Sequence, residues 1–314
     1  MSTRDVTAAP GAPQRVDYFV RKALGGGSRR LVRALIGEGS VRVNGHPARK
    51  GDLVRGGDTV TLPVLRALAP NAALPGRIVH VDAELIAFDK PAGMPSIPLD
   101  PRETQTVANA LLAHFPEIRE VGEGLTCGLA HRLDTPTSGL LLAARTAATY
   151  CALRTAFASR RVRKRYVAVV AGSMREPIRI EEPLAHDRAT GGMRLARPTD
   201  RQWFAHTHVE PLRAGSDRTV LCITIRTGVT HQIRAHLASV GHPVFGDVQY
   251  AGPDGGLPPG EIALHAIEIQ LPPLGTASTR RLGTPLPPRF GPLLADTTVA
   301  QGHAATGTNL RSGS

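Results

Sequence analysis

The sequence predicts an α+β protein: a mixed, mainly antiparallel central sheet behind a small N-terminal α/β module. Strand-like runs at 78–81, 85–88, 140–144, 166–170 and 220–225 alternate irregularly with helical stretches, whereas a doubly wound fold repeats strand and helix evenly. Neither a Walker A loop nor a dinucleotide-binding glycine pattern occurs. The first fifth of the chain reads as a unit of its own, and 314 residues suffice for about two domains.

Taken in order, residues 1–14 lack the apolar core of a signal peptide and are expected to be a disordered tail. A module follows over 15–63. Val16, Phe19, Val20 and Ala23 fall at helical spacing and predict a helix over 17–24 that ends at Gly25, Gly26 and Gly27. Ser28 is the expected N-cap of a second helix, in which Leu31, Ala34 and Leu35 form the apolar stripe and Arg29, Arg30 and Arg33 share the exposed side. Residues 41–43 and 59–62 alternate as strands, and Asn44-Gly45 is a tight-turn signal. Pro63, Pro70 and Pro75 punctuate an Ala-rich stretch that predicts a linker over 64–76. The main domain spans 77–272, with helices expected at 107–115, 146–159 and 231–240. Beyond it, 273–314 is rich in Pro and Gly without apolar periodicity and is expected to be a mostly loose tail, of which 287–294 could still pack against the body.

Lys and Arg number 38 against 26 Asp and Glu, a net charge of +12 that points to a polyanionic partner. Half of that excess lies in residues 15–63, with ten basic and four acidic side chains. Only seven Phe, four Tyr and one Trp argue against a single-strand binder built on stacking. Cys127, Cys151 and Cys222 are odd in number and widely spaced, which fits a reducing, cytoplasmic compartment and offers no zinc knuckle. No apolar run approaches the roughly 18 residues of a membrane span.

Two segments concentrate chemistry. HRLDTPTSG (131–139) packs an Arg, an Asp, three hydroxyls and a Gly into one turn before an apolar run. Loops anchored to rigid strands are common seats of catalysis, and a turn capped by Asp134 accounts for the same pattern. In TGVTHQIRAHLASVGHPVFGD (227–247), Thr230 is the expected cap of a helix whose apolar face is Ile233, Leu237 and Val240, with His231 and Arg234 on another side. His231 and His236 sit about 140° apart on that helix, so no metal site is expected. A hydrolase serine elbow is absent. The basic run 160–165 leads into Tyr166 and a core strand, and reads either as a solvated helix end or as a phosphate-gripping ridge beside an aromatic ring.

Five segments in order, DKPAGMPSIP (89–98), HRLDTPTSG, RKRYVAVVAG (163–172), THQIRAHLASVGHPVFGD (230–247) and LHAIEI (264–269), resemble the RluA-type pseudouridine synthases over about 77–272. Residues 15–63 likewise resemble the small RNA-binding module named for ribosomal protein S-four. The resemblance implies isomerisation of uridine to pseudouridine in structured RNA without cofactor or metal. Ribosomal RNA is the favoured partner, transfer RNA the second, and a monomer in the cytoplasm suffices.

The same resemblance implies that Asp134 is the nucleophile, attacking either the uracil ring or the anomeric carbon. A carboxylate can both attack and leave, and a nearby guanidinium keeps it ionised in a closed pocket. Arg234 matches the family's pairing arginine, and Tyr166 the tyrosine that lies against the base and helps remove the proton from its fifth carbon. Arg132 matches the residue that fills the gap left by a flipped uridine, although it could equally hold a phosphate. His131, Thr137 and His231 are the remaining expected pocket contacts, while Arg29, Arg30, Arg33, Arg163 and Lys164 are expected to grip RNA phosphates. Thr135 and Val229 stand where arginine is frequent in the family, and are expected to alter RNA choice or pocket support while activity is retained. A non-catalytic assembly factor on the same fold and a uracil-releasing hydrolase are the competing readings.

Overall fold

The computed structural model describes residues 2–24, 29–64, 67–274, 278–295 and 297–299. The chain divides into two compact units, Met1–Leu74 with Ile97–Cys127, and Pro75–Ser96 with Gly128–Ser314.

In the first unit, the helices Val16–Ala23 and Arg29–Gly37 bury Val16, Phe19, Val20, Leu31, Val32 and Leu35 in one cluster with Val41, Val54, Val60 and Leu62. The expected glycine stop and the Ser28 cap lie outside the described residues. A four-stranded antiparallel sheet runs in the order Thr3–Thr7, Thr59–Pro63, Arg42–Val43, His46–Pro47. The turn between the last two holds Asn44 at φ 49° and Gly45 at φ 82°, the left-handed pair that a two-residue hairpin demands.

Two expectations need correction here. Residues 1–14 are not a disordered tail throughout, because Thr3–Thr7 pairs with Thr59–Pro63 and Ala8 is buried. The strand carries almost no apolar signal, and its hydrogen bonds, including Thr61 Oγ1 to the Asp5 carboxylate at 2.7 Å, join residues 56 apart. Nor is 64–76 a free linker. Leu68 is buried, its carbonyl accepts from Arg119, and the Ala69 carbonyl accepts from Asn109 on the helix Val107–His114. Side chains distant in sequence satisfy this backbone, so no local periodicity announces it.

The second unit is a ten-stranded sheet in the order Ile178–Ile180, Thr207–Ala214, Arg218–Ile225, Arg163–Ala171, Leu264–Leu271, Ser138–Ala144, Leu85–Lys90, Arg77–Val81. All pairings are antiparallel except Ser138–Ala144 with Leu264–Leu271, which is parallel. The five predicted strands all lie within it, and the predicted helices appear as Val107–His114, Ala147–Ala158 and Gln232–Ser239. The expected tail is partly structured: Arg280–Gly283 adds to Leu264–Leu271, Thr298–Val299 pairs with Thr207–Ala214, and Phe290 and Leu293 are buried. Pairing of short polar strands leaves no periodic apolar trace, which is why the composition of this segment read as loose.

The parallel junction positions the site. Ala266 pairs with Gly139 on one side and with Tyr166 on the other, next to a bulge between Arg165 and Tyr166. Gly139 sits at φ 114°, and a Cβ there would lie 2.3 Å from the Ala266 carbonyl oxygen. Only glycine lets the two backbones approach so closely.

Candidate active site

Asp134 sits four residues before the Ser138–Ala144 strand, in a loop pinned on both flanks by the segment after Leu85–Lys90. Ser96 Oγ donates to the Leu133 carbonyl at 2.9 Å and accepts from the Leu133 N–H at 3.0 Å. On the other flank, the Thr135 carbonyl accepts from the Gly93 N–H at 2.9 Å and from Lys90 Nζ at 3.0 Å. Lys90 is fully buried, and its ammonium also donates to the Pro91 and Met94 carbonyls. Burial pulls its pKa down to about 7, against the pull of the Asp134 charge. The Thr137 N–H closes the turn on the Asp134 carbonyl at 3.1 Å. The turn is there, but it is closed by backbone and not capped by the Asp134 side chain, whose carboxylate faces a pocket.

That carboxylate, one quarter exposed, lies 3.3 Å from Nη1 of Arg234 on the helix Gln232–Ser239. Arg234 is buried, and its stronger partner is Asp247, which takes Nε at 2.6 Å and Nη2 at 2.8 Å. Gln249 Oε1 accepts from Nη2 at 3.0 Å, and the Tyr250 ring lies 5.0 Å from the guanidinium carbon. The two-pronged grip of Asp247 fixes the fork so that one nitrogen is left for Asp134. Sequence reasoning paired Arg234 with Asp134 alone. Asp247 was visible at the end of the second chemical segment, but nothing local distinguishes it from a loop acid.

Tyr166 lies buried in the wall of the same pocket. Burial, reinforced by the Asp134 charge, pushes its phenol well above the usual tyrosine range, so the hydroxyl keeps its proton. Thr137 also lines the pocket, and its Oγ1 is buried without a hydrogen-bond partner. His231 takes the cap position in a left-handed conformation at φ 52°, where Thr230 had been expected. The Met193 N–H donates to the Tyr250 hydroxyl at 2.8 Å, and that hydroxyl is hydrogen-bonded to His231 Nδ1 at 3.1 Å. Burial lowers the His231 pKa. Arg132 is exposed at the rim and reaches Thr230 Oγ1 at 3.3 Å.

Two expected RNA contacts sit elsewhere. His131 Nε2 accepts from the Leu142 N–H at 3.1 Å, its ring packs 4.7 Å from that of Phe157, and burial pulls its pKa down to about 3. It serves as an acceptor for the strand that follows the Asp134 loop. Lys164 does not stand on a solvated ridge: it is buried, lines the pocket, and donates to the Thr227 carbonyl at 2.7 Å. Strand alternation explains the reversal, since Arg163 points to solvent and Lys164 to the opposite face. Val229 packs with Trp203 and Tyr250 against Leu184, Met193, Ala205 and Ala235, where an arginine would be costly. In the first unit, Arg29, Arg30 and Arg33 are exposed as expected, and Arg29 and Arg33 line a hollow of about 300 Å³ with Arg15, Asp17, Tyr18, Arg21 and Val32. Among the described residues no cluster of His, Cys, Asp or Glu could hold a metal, and no helix is long and apolar enough to cross a membrane.

A carboxylate, a guanidinium and a tyrosine line one pocket on a mainly antiparallel sheet, and comparison with known proteins puts the chain among RNA-modifying isomerases. Residues 84–239 match the family model described as RNA pseudouridylate synthase, and residues 14–60 match the S4 domain. Over 244 residues the chain is 31% identical to ribosomal large subunit pseudouridine synthase D of Yersinia pestis, covering 76% of this chain and 73% of that one. It is also 31% identical over 247 residues to an uncharacterized RNA pseudouridine synthase of Aquifex aeolicus, covering 76% and 78%. The solved structure of human RNA pseudouridylate synthase domain containing 1 superposes with a TM-score of 0.59 at 25% identity, covering 74% of this chain and 92% of that one. The chain belongs to the RNA pseudouridylate synthase family, of the RluA type, and is an RNA pseudouridine synthase with an S4 domain.

Proposed function

We propose that the protein isomerises specific uridines in structured ribosomal RNA, with Asp134 as the nucleophile. The observation that carries this reading is the Asp134 carboxylate itself: clamped through Leu133 and Thr135, opposed by a guanidinium that Asp247 holds in place, and open to a pocket walled by Tyr166. A stacked uridine must leave the helix to reach it, at a cost of a few kcal/mol, and Arg132 at the rim is placed to fill the vacated space. Asp134 forms a bond to the nucleotide, the glycosidic bond breaks, the uracil turns, and its fifth carbon joins the sugar as the carboxylate leaves. Tyr166 offers its ring to the base, and its hydroxyl rather than a phenolate to the step in which that carbon loses its proton. Thr137 and His231 supply donors to the ring edge. Arg29, Arg30, Arg33 and Arg163 add phosphate contacts that fix register without reading sequence. Ribosomal RNA is favoured because the relative from Yersinia pestis is named for the large ribosomal subunit, and a ribosomal substrate implies a cytoplasmic site of action.

The deciding experiment is tritium release from cellular RNA labelled at the fifth carbon of uracil, comparing the unmodified protein with Asp134→Ala. Release by the unmodified protein alone is expected, with the label loss mapping to ribosomal RNA. Release by both would remove Asp134 from its role. Release by neither, with RNA binding intact, would leave a non-catalytic binder, and loss mapping to transfer RNA would correct the substrate.

A further inference from the structure

The reaction moves a negative charge. If Asp134 attacks the anomeric carbon, a C–O bond forms as the N1–C1′ bond breaks, and the electron pair leaves with the ring, spread over N1, O2 and O4. If it attacks the ring at C6, the C5=C6 pair moves to the C4 carbonyl as an enolate. On either route the charge quits a carboxylate that Arg234 holds and arrives on a carbonyl oxygen of the uracil. When C5 joins the sugar and the carboxylate departs, C5 loses its proton to a base and N1 gains one, so atoms and charge balance. Arg234 braces where the charge starts. What receives it is a separate question.

The pocket contains a second buried cation. The Lys164 side chain lies against the same space as Asp134, Thr137 and Tyr166. Its ammonium has three N–H groups, and the hydrogen bond that fixes it, to the Thr227 carbonyl, uses one. The Phe157 ring lies 5.9 Å away, so one side of the ammonium is apolar. At Gly228 a Cβ would stand 3.3 Å from Nζ, and the missing side chain leaves that approach open. In the same pocket, the Thr137 hydroxyl is buried with no hydrogen-bond partner among the described residues. A buried cation and a buried hydroxyl, both with donors that the protein does not engage, are placed to stabilise an anion that enters the pocket.

We propose that Lys164 is a catalytic residue of this site, its ammonium donating to a carbonyl oxygen of the uracil while that ring carries the displaced negative charge, with Thr137 Oγ1 as a second donor. The inference rests on the proposed function of the Asp134 site. No proton is transferred to the ring by Lys164; the step is stabilisation in place by a buried donor that the Thr227 carbonyl already holds.

The test uses the full-length protein, single-turnover isomerisation of RNA followed by chromatography of the digested nucleosides, and RNA affinity measured in parallel. Lys164→Met is expected to slow the chemical step by about 100-fold while changing affinity by less than about threefold, and Lys164→Arg to recover about tenfold of the loss. Lys164→Gln keeps a donor for Thr227 without the charge and should behave like the Met variant, so the test survives if Met compromises folding. The readout that a purely structural role would not move is the response to 5-fluorouridine in the RNA, followed as consumption of the parent nucleoside, because a C5 that carries fluorine has no proton to lose and cannot end as pseudouridine. Fluorine makes the ring anion less basic, so the deficit of the neutral variants should narrow with that substrate. An equal deficit on both RNAs, a rate within about threefold of the unmodified protein, or a loss of affinity as large as the loss of rate would each overturn the proposal. Asp134→Ala runs alongside: if it stays active, the reading of the whole site fails, whereas an inert Asp134→Ala beside an unimpaired Lys164→Gln defeats this inference alone.

Discussion

Basic side chains do opposite work in the two units of this molecule. Arg29, Arg30 and Arg33 stand exposed on a helix of the first unit, where salt screens them and their partners are interchangeable. Lys90, Lys164 and Arg234 of the second unit are buried, and each has named acceptors: three carbonyls for Lys90, one for Lys164, two carboxylates and an amide for Arg234. The same residue types thus give a diffuse, sequence-independent attraction in one place and a fixed local field in the other. The difference lies in desolvation rather than charge number, so net charge alone could point to RNA but not to a reaction.

The contrast can be broken from its most sensitive end. Asp134→Ala should abolish turnover by several orders of magnitude in the tritium-release assay while leaving the thermal midpoint near that of the unmodified protein, because Asp247 still pairs Arg234. A large drop in the midpoint would mean that Asp134 is structural. Arg234→Ala strips the buried Asp247 of its only ion-pair partner among the described residues, and should cost roughly 3 to 5 kcal/mol in denaturant unfolding together with most of the activity. A stable, active variant would show that this field is dispensable.

Acid offers a probe between the extremes. His131 is half-buried and His265 buried, both with pKa values pulled down to about 3 by desolvation, and the unfolded chain titrates at the ordinary value near 6.5. Below that value the unfolded state takes up protons that the folded state refuses, so stability is present near neutrality and falls as the pH drops toward 3. Each histidine contributes a slope of about 1.4 kcal/mol per pH unit. His131→Gln keeps an acceptor for the Leu142 N–H and should remove one such slope, as chemical denaturation across pH 4 to 6.5 would reveal.

The smallest effect belongs to the exposed arginines. Replacing Arg29, Arg30 and Arg33 together by alanine should leave single-turnover rates at saturating RNA unchanged. It should also flatten the plot of log affinity against log salt by roughly 0.7 to 0.9 for each phosphate that is no longer neutralised. An unchanged slope would mean that this helix face meets something other than phosphate.

What could be read from the sequence follows the same divide between local and distant. The helix Val16–Ala23, the Asn44-Gly45 turn and the five predicted strands of the second unit are written in contiguous residues, and each appears where its pattern puts it. Asp134, Tyr166 and Arg234 were legible through their motifs, and all three meet in one pocket. The Ser96 and Lys90 clamp was not, because it consists of hydrogen bonds to the backbone of residues 37 and 45 positions away. Asp247 was hidden for a like reason, and the burial of Lys164 because a run of six basic-rich positions looks uniform until strand alternation sorts its two faces. The strand Thr3–Thr7 escaped because β pairing at long range needs little apolar pattern of its own.

The parallel junction also sets a timetable. Ser138 bonds His265 across 127 residues of chain, and Gly139 can meet Ala266 only when both strands exist. During synthesis from the N-terminus, the Asp134 loop and Tyr166 emerge well before the strand that aligns them, and closing so long a loop carries an entropic cost that local contacts do not repay. The helices and hairpin of residues 15–63 need no such wait. A nascent chain halted before residue 264 would therefore hold the helices of residues 15–63 while the strand that meets Gly139 is still missing, so the site assembles only after that strand has been made.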